Sequence, residues 1–62
     1  MLPKLLTIAQ VGEALGLGRG VIYRLLKDDD SFPRPLYIRP NVPRFNEDEI
    51  REWLEARAQA AP

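Results

Sequence analysis

Cysteine and histidine are both absent from this 62-residue chain. Without cysteine the protein has neither a disulfide nor a thiolate metal site, and without histidine it lacks the commonest zinc ligand and the usual base at neutral pH. No serine or threonine stands beside a candidate base, and the acidic run Asp28–Asp30 has no phosphate-binding glycine loop near it. Such a run is typical of a solvated loop rather than a magnesium site. We therefore expect that the protein is not an enzyme and that it binds no metal, cofactor or small-molecule substrate.

Long apolar runs are also missing. No stretch approaches the roughly eighteen apolar residues that a membrane span needs, and the N-terminus lacks the basic-then-apolar layout of a signal peptide. We expect a soluble cytoplasmic protein that does not bind membranes. At this length the chain predicts a single domain over residues 1–62 with a shallow core, because small domains bury a lower fraction of their surface.

The net charge is zero, although nucleic-acid-binding domains are usually basic overall. The charges are nevertheless segregated along the chain, which gives the molecule a basic middle and an acidic end. Six cations stand between positions 19 and 44, against three aspartates; five anions stand between positions 47 and 57, against two arginines. The cations of the middle are Arg19, Arg24, Lys27, Arg34, Arg39 and Arg44, and the anions of the end are Glu47, Asp48, Glu49, Glu52 and Glu55.

A short helix is predicted near the N-terminus. Thr7 is a favoured N-cap residue and Gln10 completes a capping box, so the helix begins at Ile8. Gly16 stands where a left-handed residue ends a helix. The stretch "GLG" leaves room only for a tight turn before the next helical segment, with Leu17 expected to be buried between the two helices.

The second predicted helix begins after Gly18. It has one apolar face, because its apolar residues fall on the same side when each residue turns by 100° about the helix axis. Gly20 lies at the centre of the opposite, outward face. A glycine inside a helix lowers the stability of the helix by roughly 1 kcal/mol relative to alanine. Two interpretations of this glycine are open: the missing side chain lets a partner approach the backbone, or the glycine merely weakens the first turn. The apolar face holds Ile22, Leu25 and Leu26, and the outward face holds Gly20, Tyr23, Arg24 and Lys27.

Two prolines in "DDDSFPRP" exclude a helix across residues 28–35. A short hairpin is predicted after them, with strands at 36–38 and 44–46 and a bend at "RPNVP". Asn46 is a favoured N-cap for a third helix over residues 47–58. The residues expected in the core by their spacing are Phe45, Ile50, Trp53 and Leu54.

Helix, three-residue turn, helix, small hairpin, helix is the order of elements in a winged helix-turn-helix. The predicted fold is thus mainly α with a small β-hairpin: a helix-turn-helix, a two-stranded wing and a third helix. In this fold the second helix enters the major groove of DNA. A close approach at Gly20 would then be an approach to DNA.

Four motifs in order resemble the AlpA-type phage regulators and excisionases of the MerR-like winged-helix superfamily. They are "T-x-x-Q-V" from Thr7, "G-L-x-R-x-x-I-Y-R-L" from Gly16, "F-P-R-P" from Phe32, and "R-F-x-x-x-E-I-x-x-W" from Arg44. The resemblance covers residues 5–57. The chain departs from the family where members carry Ser at the position of Gly18 and Ser or Thr near residues 20 and 21, and its wing segment "RPNVP" lacks a glycine-rich tip.

The resemblance implies that Arg19 and Arg24 contact bases in the major groove, since a guanidinium can donate two parallel hydrogen bonds to guanine. The alternative is that these arginines are solvated and pair with the aspartates at 28–30. Lys27 and Arg34 are expected on phosphates, which position a protein without reading sequence.

Arg39 and Arg44 flank the wing, and one of them is expected at the minor groove or its backbone. The alternative for Arg44 is an ion pair with Glu47 or Asp48. Tyr23 packs at the helix edge with its hydroxyl near a phosphate, or serves mainly as core. The predicted DNA-contacting residues are Arg19, Gly20, Val21, Tyr23, Arg24, Lys27, Arg34, Arg39 and Arg44.

The resemblance implies sequence-specific binding to double-stranded DNA, at the nucleoid. The favoured function is that of a phage or prophage excisionase, a recombination directionality factor that binds and bends attachment-site DNA for an integrase. The alternative is an AlpA-type transcriptional regulator. An alternative of another class is a small interaction module that grips a basic partner with its acidic third helix. Because the chain is short, we expect a monomer in solution whose partners are DNA, integrase and neighbouring copies on DNA.

Overall fold

Three helices and three short strands make up the part of the chain that the computed structural model describes, residues 2–60. The mainly helical prediction is confirmed; residues 1, 61 and 62 of the predicted domain lie outside the described part. Within that part no helix is long and apolar enough to cross a membrane. The elements are β1 (Leu5–Leu6), α1 (Ile8–Leu15), α2 (Arg19–Asp28), β2 (Leu36–Arg39), β3 (Val42–Asn46) and α3 (Glu47–Ala60).

The sheet has three antiparallel strands in the order β1-β3-β2, one more than the two strands that the sequence predicts. The hairpin β2–β3 is present, with a turn of only two residues, Pro40 and Asn41. The missed strand β1 pairs Leu5 with Asn46 and Leu6 with Phe45. Two residues are too few to show an alternating pattern, and their partners lie at the far end of the chain. The arrangement is compatible with a winged helix-turn-helix.

The capping of α1 and the three-residue turn follow the sequence prediction. The Thr7 hydroxyl oxygen accepts from the backbone N–H of Gln10, and Gln10 Oε1 accepts from the backbone N–H of Thr7. Gly16 is left-handed with a φ of 71°. A glycine that the sequence did not single out is equally constrained: a Cβ at Gly12 would lie 2.5 Å from the carbonyl oxygen of Leu17. That carbonyl packs against α1, whereas the Leu17 side chain is exposed, so its predicted burial was wrong.

Within residues 2–60 the core consists of six buried side chains, one each from β1, α1, α2, the loop after α2, β3 and α3. Phe32, from the loop after α2, is 1% exposed, and its ring packs nearly perpendicular to the Trp53 ring with 4.9 Å between centroids. Leu54, predicted to be core, is 47% exposed, because α3 packs against the core through Ile50 and Trp53. The buried core residues are Leu6, Val11, Ile22, Phe32, Phe45 and Ile50.

Candidate nucleic-acid interface

Helix α2 presents a continuous solvent-exposed face beside a single buried residue, Ile22. Leu25 and Leu26 pack against the core, as their spacing predicted. The helix begins at Arg19, and its N-cap residue Gly18 has no side chain, so the first turn lacks a side-chain cap. All six predicted contact residues on α2 are exposed: Arg19, Gly20, Val21, Tyr23, Arg24 and Lys27.

Gly20 leaves bare backbone in the middle of this face. A Cβ built on Gly20 would find no atom within 4 Å, so the fold itself does not need a glycine there. Arg24 and Lys27, four and seven residues further on, stand on the same side of the helix. An approaching polyanion would therefore meet backbone at the start of α2 and two cations along it.

The cations of α2 are not neutralised by ion pairs within residues 2–60. Of the aspartate run, Asp29 pairs with Arg57, with 3.2 Å between Oδ2 and Nη1. None of the four ion pairs in the described part involves Arg19, Arg24 or Lys27. The alternative pairing of the two arginines with the aspartates is therefore not found, and these guanidinium groups face solvent.

Asp29 bonds to Ser31 in the loop after α2 and to Arg57 on α3, not to a cation of α2. Its Oδ1 accepts from both the hydroxyl and the backbone N–H of Ser31, at 2.6 Å and 2.9 Å. These bonds, with a smaller contribution from the Arg57 charge, hold the pKa of Asp29 below its ordinary value. The Ser31 hydroxyl in turn accepts from Trp53 Nε1 at 3.1 Å, which ties the loop to α3.

Arg34 has a place in the fold that the sequence did not predict. Its guanidinium donates to the backbone carbonyls of Leu26 and Asp29, which belong to the last turn of α2 and its cap. A cation is favourable at a helix C-terminus, where carbonyls lack intrahelical partners. The expected phosphate contact of Arg34 stays a prediction, but the arginine is accounted for without it.

The two wing arginines lie on neighbouring strands. Arg39 ends β2 and is exposed, whereas Arg44 is half-buried and donates to its neighbour's carbonyl, that of Pro43, at 2.8 Å. The ion pair proposed as an alternative for Arg44 is absent among the described residues, because Glu47 pairs with Lys4 and Arg51, and Asp48 with Arg51.

All four residues of β2 are exposed, a feature that the sequence analysis missed. The order apolar, amphipathic, apolar in "LYI" indicates a strand with one buried face, yet neither face of β2 is covered. The sequence does indicate that this segment is basic, because the sixteen residues 31–46 contain three arginines and no carboxylate.

A family model described as "Prophage CP4-57 regulatory protein (AlpA)" matches residues 4–58 of the chain. No curated protein and no solved structure matches it significantly. The match spans β1, α1, α2, β2 and β3 completely and α3 as far as Ala58, and so includes the exposed face of α2 and the β2–β3 hairpin.

Proposed function

Because this chain belongs to the family of the prophage regulatory protein AlpA, we propose that it is a winged helix-turn-helix protein that binds double-stranded DNA. The observation that carries this proposal is the outward face of α2, where Gly20 leaves bare backbone beside three cations that take no part in the ion pairs of residues 2–60. In this geometry α2 lies in the major groove and the β2–β3 hairpin acts as the wing.

The roles of the side chains follow from their chemistry. Arg19 and Arg24 donate to the base edges and so read sequence. Lys27 binds phosphate as a point charge, and the wing arginine Arg39 reaches the DNA backbone or the minor groove. Gly20 lets the helix backbone come close to the groove. Binding therefore combines a salt-dependent part with a sequence-dependent part.

Replacing Arg24 with alanine is expected to weaken specific binding by about 1–3 kcal/mol, because a lost bidentate contact removes discrimination at one base pair. The same loss is expected for Arg19→Ala. Affinity would be measured on a duplex selected by the wild-type protein and on random duplex, at several salt concentrations. Equal losses on both duplexes would exclude a role in reading sequence. A wild-type protein that shows no steep salt dependence would instead favour the interaction-module alternative.

Arg34 and Lys27 are expected to respond differently to alanine. Lys27→Ala should reduce the slope of log K against log salt concentration by about 0.9, the value for one phosphate contact. Arg34→Ala should leave this slope unchanged and lower the stability of the fold by about 1 kcal/mol, because two carbonyls at the end of α2 lose a charged donor. A reduced slope in the Arg34 variant would show that Arg34 contacts phosphate after all.

We further propose that the protein acts as an excisionase rather than as a transcriptional regulator. One recognition helix covers few base pairs, and one small module buries roughly 600–1,000 Å², so several copies are needed for strong discrimination. The charges suit such an assembly, because the basic wing and the acidic α3 are complementary, and unlike surfaces build open arrays. On the acidic helix α3, three glutamates take no part in the ion pairs of residues 2–60: Glu49, Glu52 and Glu55.

The array model predicts a monomer in solution that binds tandem direct repeats cooperatively, with the wing of one copy near Glu52 and Glu55 of the next. The copies would share the cost of bending the site, of order 1–6 kcal/mol for 20–30 base pairs. Gel-shift titrations on one, two and three repeats measure the cooperativity. Identical affinity per site, or a stable dimer without DNA in sedimentation, would contradict the array.

Excisive recombination by an integrase, with the protein added or withheld, separates the two biological roles. Stimulated excision supports the excisionase, whereas unchanged excision with altered transcription supports the regulator.

A further inference from the structure

The wing carries three consecutive apolar residues on β2 that are exposed and do not contribute to the core. Leu36, Tyr37 and Ile38 are 53%, 63% and 58% exposed, and none of them belongs to the core. A run of exposed apolar residues in so small a domain lowers solubility unless something covers it. The backbone and the neighbouring residues of β2 indicate which kind of partner covers this run.

The backbone of β2 is poorly suited to pairing with another strand. It is an edge strand of four residues, bounded by Pro35 and Pro40. The register also shifts between Tyr37 and Arg39, so Ile38 is the extra residue of a bulge. Prolines and bulges are the devices by which proteins protect sheet edges from pairing. A partner of β2 thus meets its side chains rather than its hydrogen-bonding edge.

The surroundings of these side chains favour a polyanion. The segment from residue 31 to 46 has three arginines and no carboxylate, and Arg39 follows Ile38 directly. The hairpin ends two residues beyond Ile38 in the exposed turn Pro40–Asn41, so the apolar residues lie close to the tip of a narrow ribbon. Apolar side chains accompanied by arginine are what minor-groove proteins insert between base steps to kink DNA.

We propose that Ile38, supported by Leu36 and Tyr37, is an apolar wedge that enters the minor groove and bends the bound DNA. A bulge can turn the side chain of its extra residue out of the regular ladder, Ile38 is exposed, and in the proposed complex Arg39 holds the flanking DNA backbone. This inference rests on the proposed DNA binding and adds to it the residue that produces the bend. The bend then arises at each wing and does not require contacts between copies.

The test compares Ile38→Thr with Ile38→Val on a single binding site. Threonine and valine are both β-branched and nearly equal in size, so both maintain the strand, but only valine keeps the wedge apolar. The probe is a duplex of about 30 base pairs, selected from a random pool by the wild-type protein. It carries fluorophores at its ends to report the bend and 2-aminopurine at successive steps to report unstacking.

The wild-type protein and Ile38→Val are expected to bend this duplex by an angle in the range of about 20–90° and to brighten 2-aminopurine at one step. Ile38→Thr should lose at least half of the bend and the fluorescence increase. Leu54→Thr, which changes an exposed apolar residue on α3, should keep both.

Three results would overturn the wedge while leaving DNA binding intact: a straight duplex in the wild-type complex, an Ile38→Thr complex bent as strongly as the wild type, or no brightened step. Loss of cooperativity on two sites, with the single-site bend unchanged in Ile38→Thr, would also overturn it and would make β2 a contact between copies. A wild-type protein that does not retard the duplex at all refutes the proposed function itself.

Discussion

Replacing Gly20 with glutamate is expected to abolish DNA binding, with a loss of at least about 100-fold, or 2.7 kcal/mol. Gly20 stands at the centre of the outward face of α2, and nothing in the fold occupies the space that a side chain would fill. A glutamate there interposes bulk between helix and groove and places a carboxylate against phosphates, where like charges repel by several kcal/mol. Equilibrium titration of the selected duplex measures the loss.

The same substitution is expected to stabilise the fold, so lost binding cannot be attributed to unfolding. Glycine is disfavoured inside helices, and a carboxylate in the first turn interacts favourably with the helix dipole. The free energy of unfolding should rise by about 1 kcal/mol. Ala58→Glu provides a matched control, since it adds the same charge to an exposed position on α3.

If Gly20→Glu bound DNA as tightly as the wild type, the glycine would be no more than a weak point in the first turn. If Ala58→Glu lost as much affinity as Gly20→Glu, total charge rather than position would explain the effect. Gly20→Ala adds only a methyl group and is expected to stabilise α2 by about 1 kcal/mol.

Replacing Phe32 with alanine is expected to remove a large part of the free energy of unfolding. The ring is buried against Phe45 and Trp53, at 6.0 Å and 4.9 Å between centroids. Deleting a buried phenylalanine costs about 3–5 kcal/mol, and at about 0.05–0.15 kcal/mol per residue a domain of this size has only about 3–9 kcal/mol of stability. Urea and thermal unfolding, followed by far-UV circular dichroism, measure the change.

Leu54→Ala is the matched comparison, because the helical spacing of the sequence assigns Leu54 to the core and does not assign Phe32. The exposed position of Leu54 predicts a loss of about 1 kcal/mol or less. Comparable losses for the two variants would contradict the packing described for α3 and the loop after α2.

The local elements of this protein are determined by its sequence. The bonds between Thr7 and Gln10 join residues three apart, and the Asn46 side chain accepts from the backbone of Asp48 and Glu49 just after it. Such caps depend on neighbours within one turn, so a reading of residue types and spacing finds them. The left-handed Gly16 and the apolar face of α2 are equally local, and with them the candidate contact face.

What only the tertiary structure decided depends on residues far apart in the chain. Strand β1 forms because β3 offers it a partner, and Arg34 finds the carbonyls of Leu26 and Asp29 only once the loop folds back. Phe32 lies in a proline-rich loop without periodicity, so its burial follows from where the loop crosses Trp53. Spacing along a helix or strand shows which residues share a face, but only packing determines whether that face is covered, as the exposure of Leu54 and of β2 demonstrates.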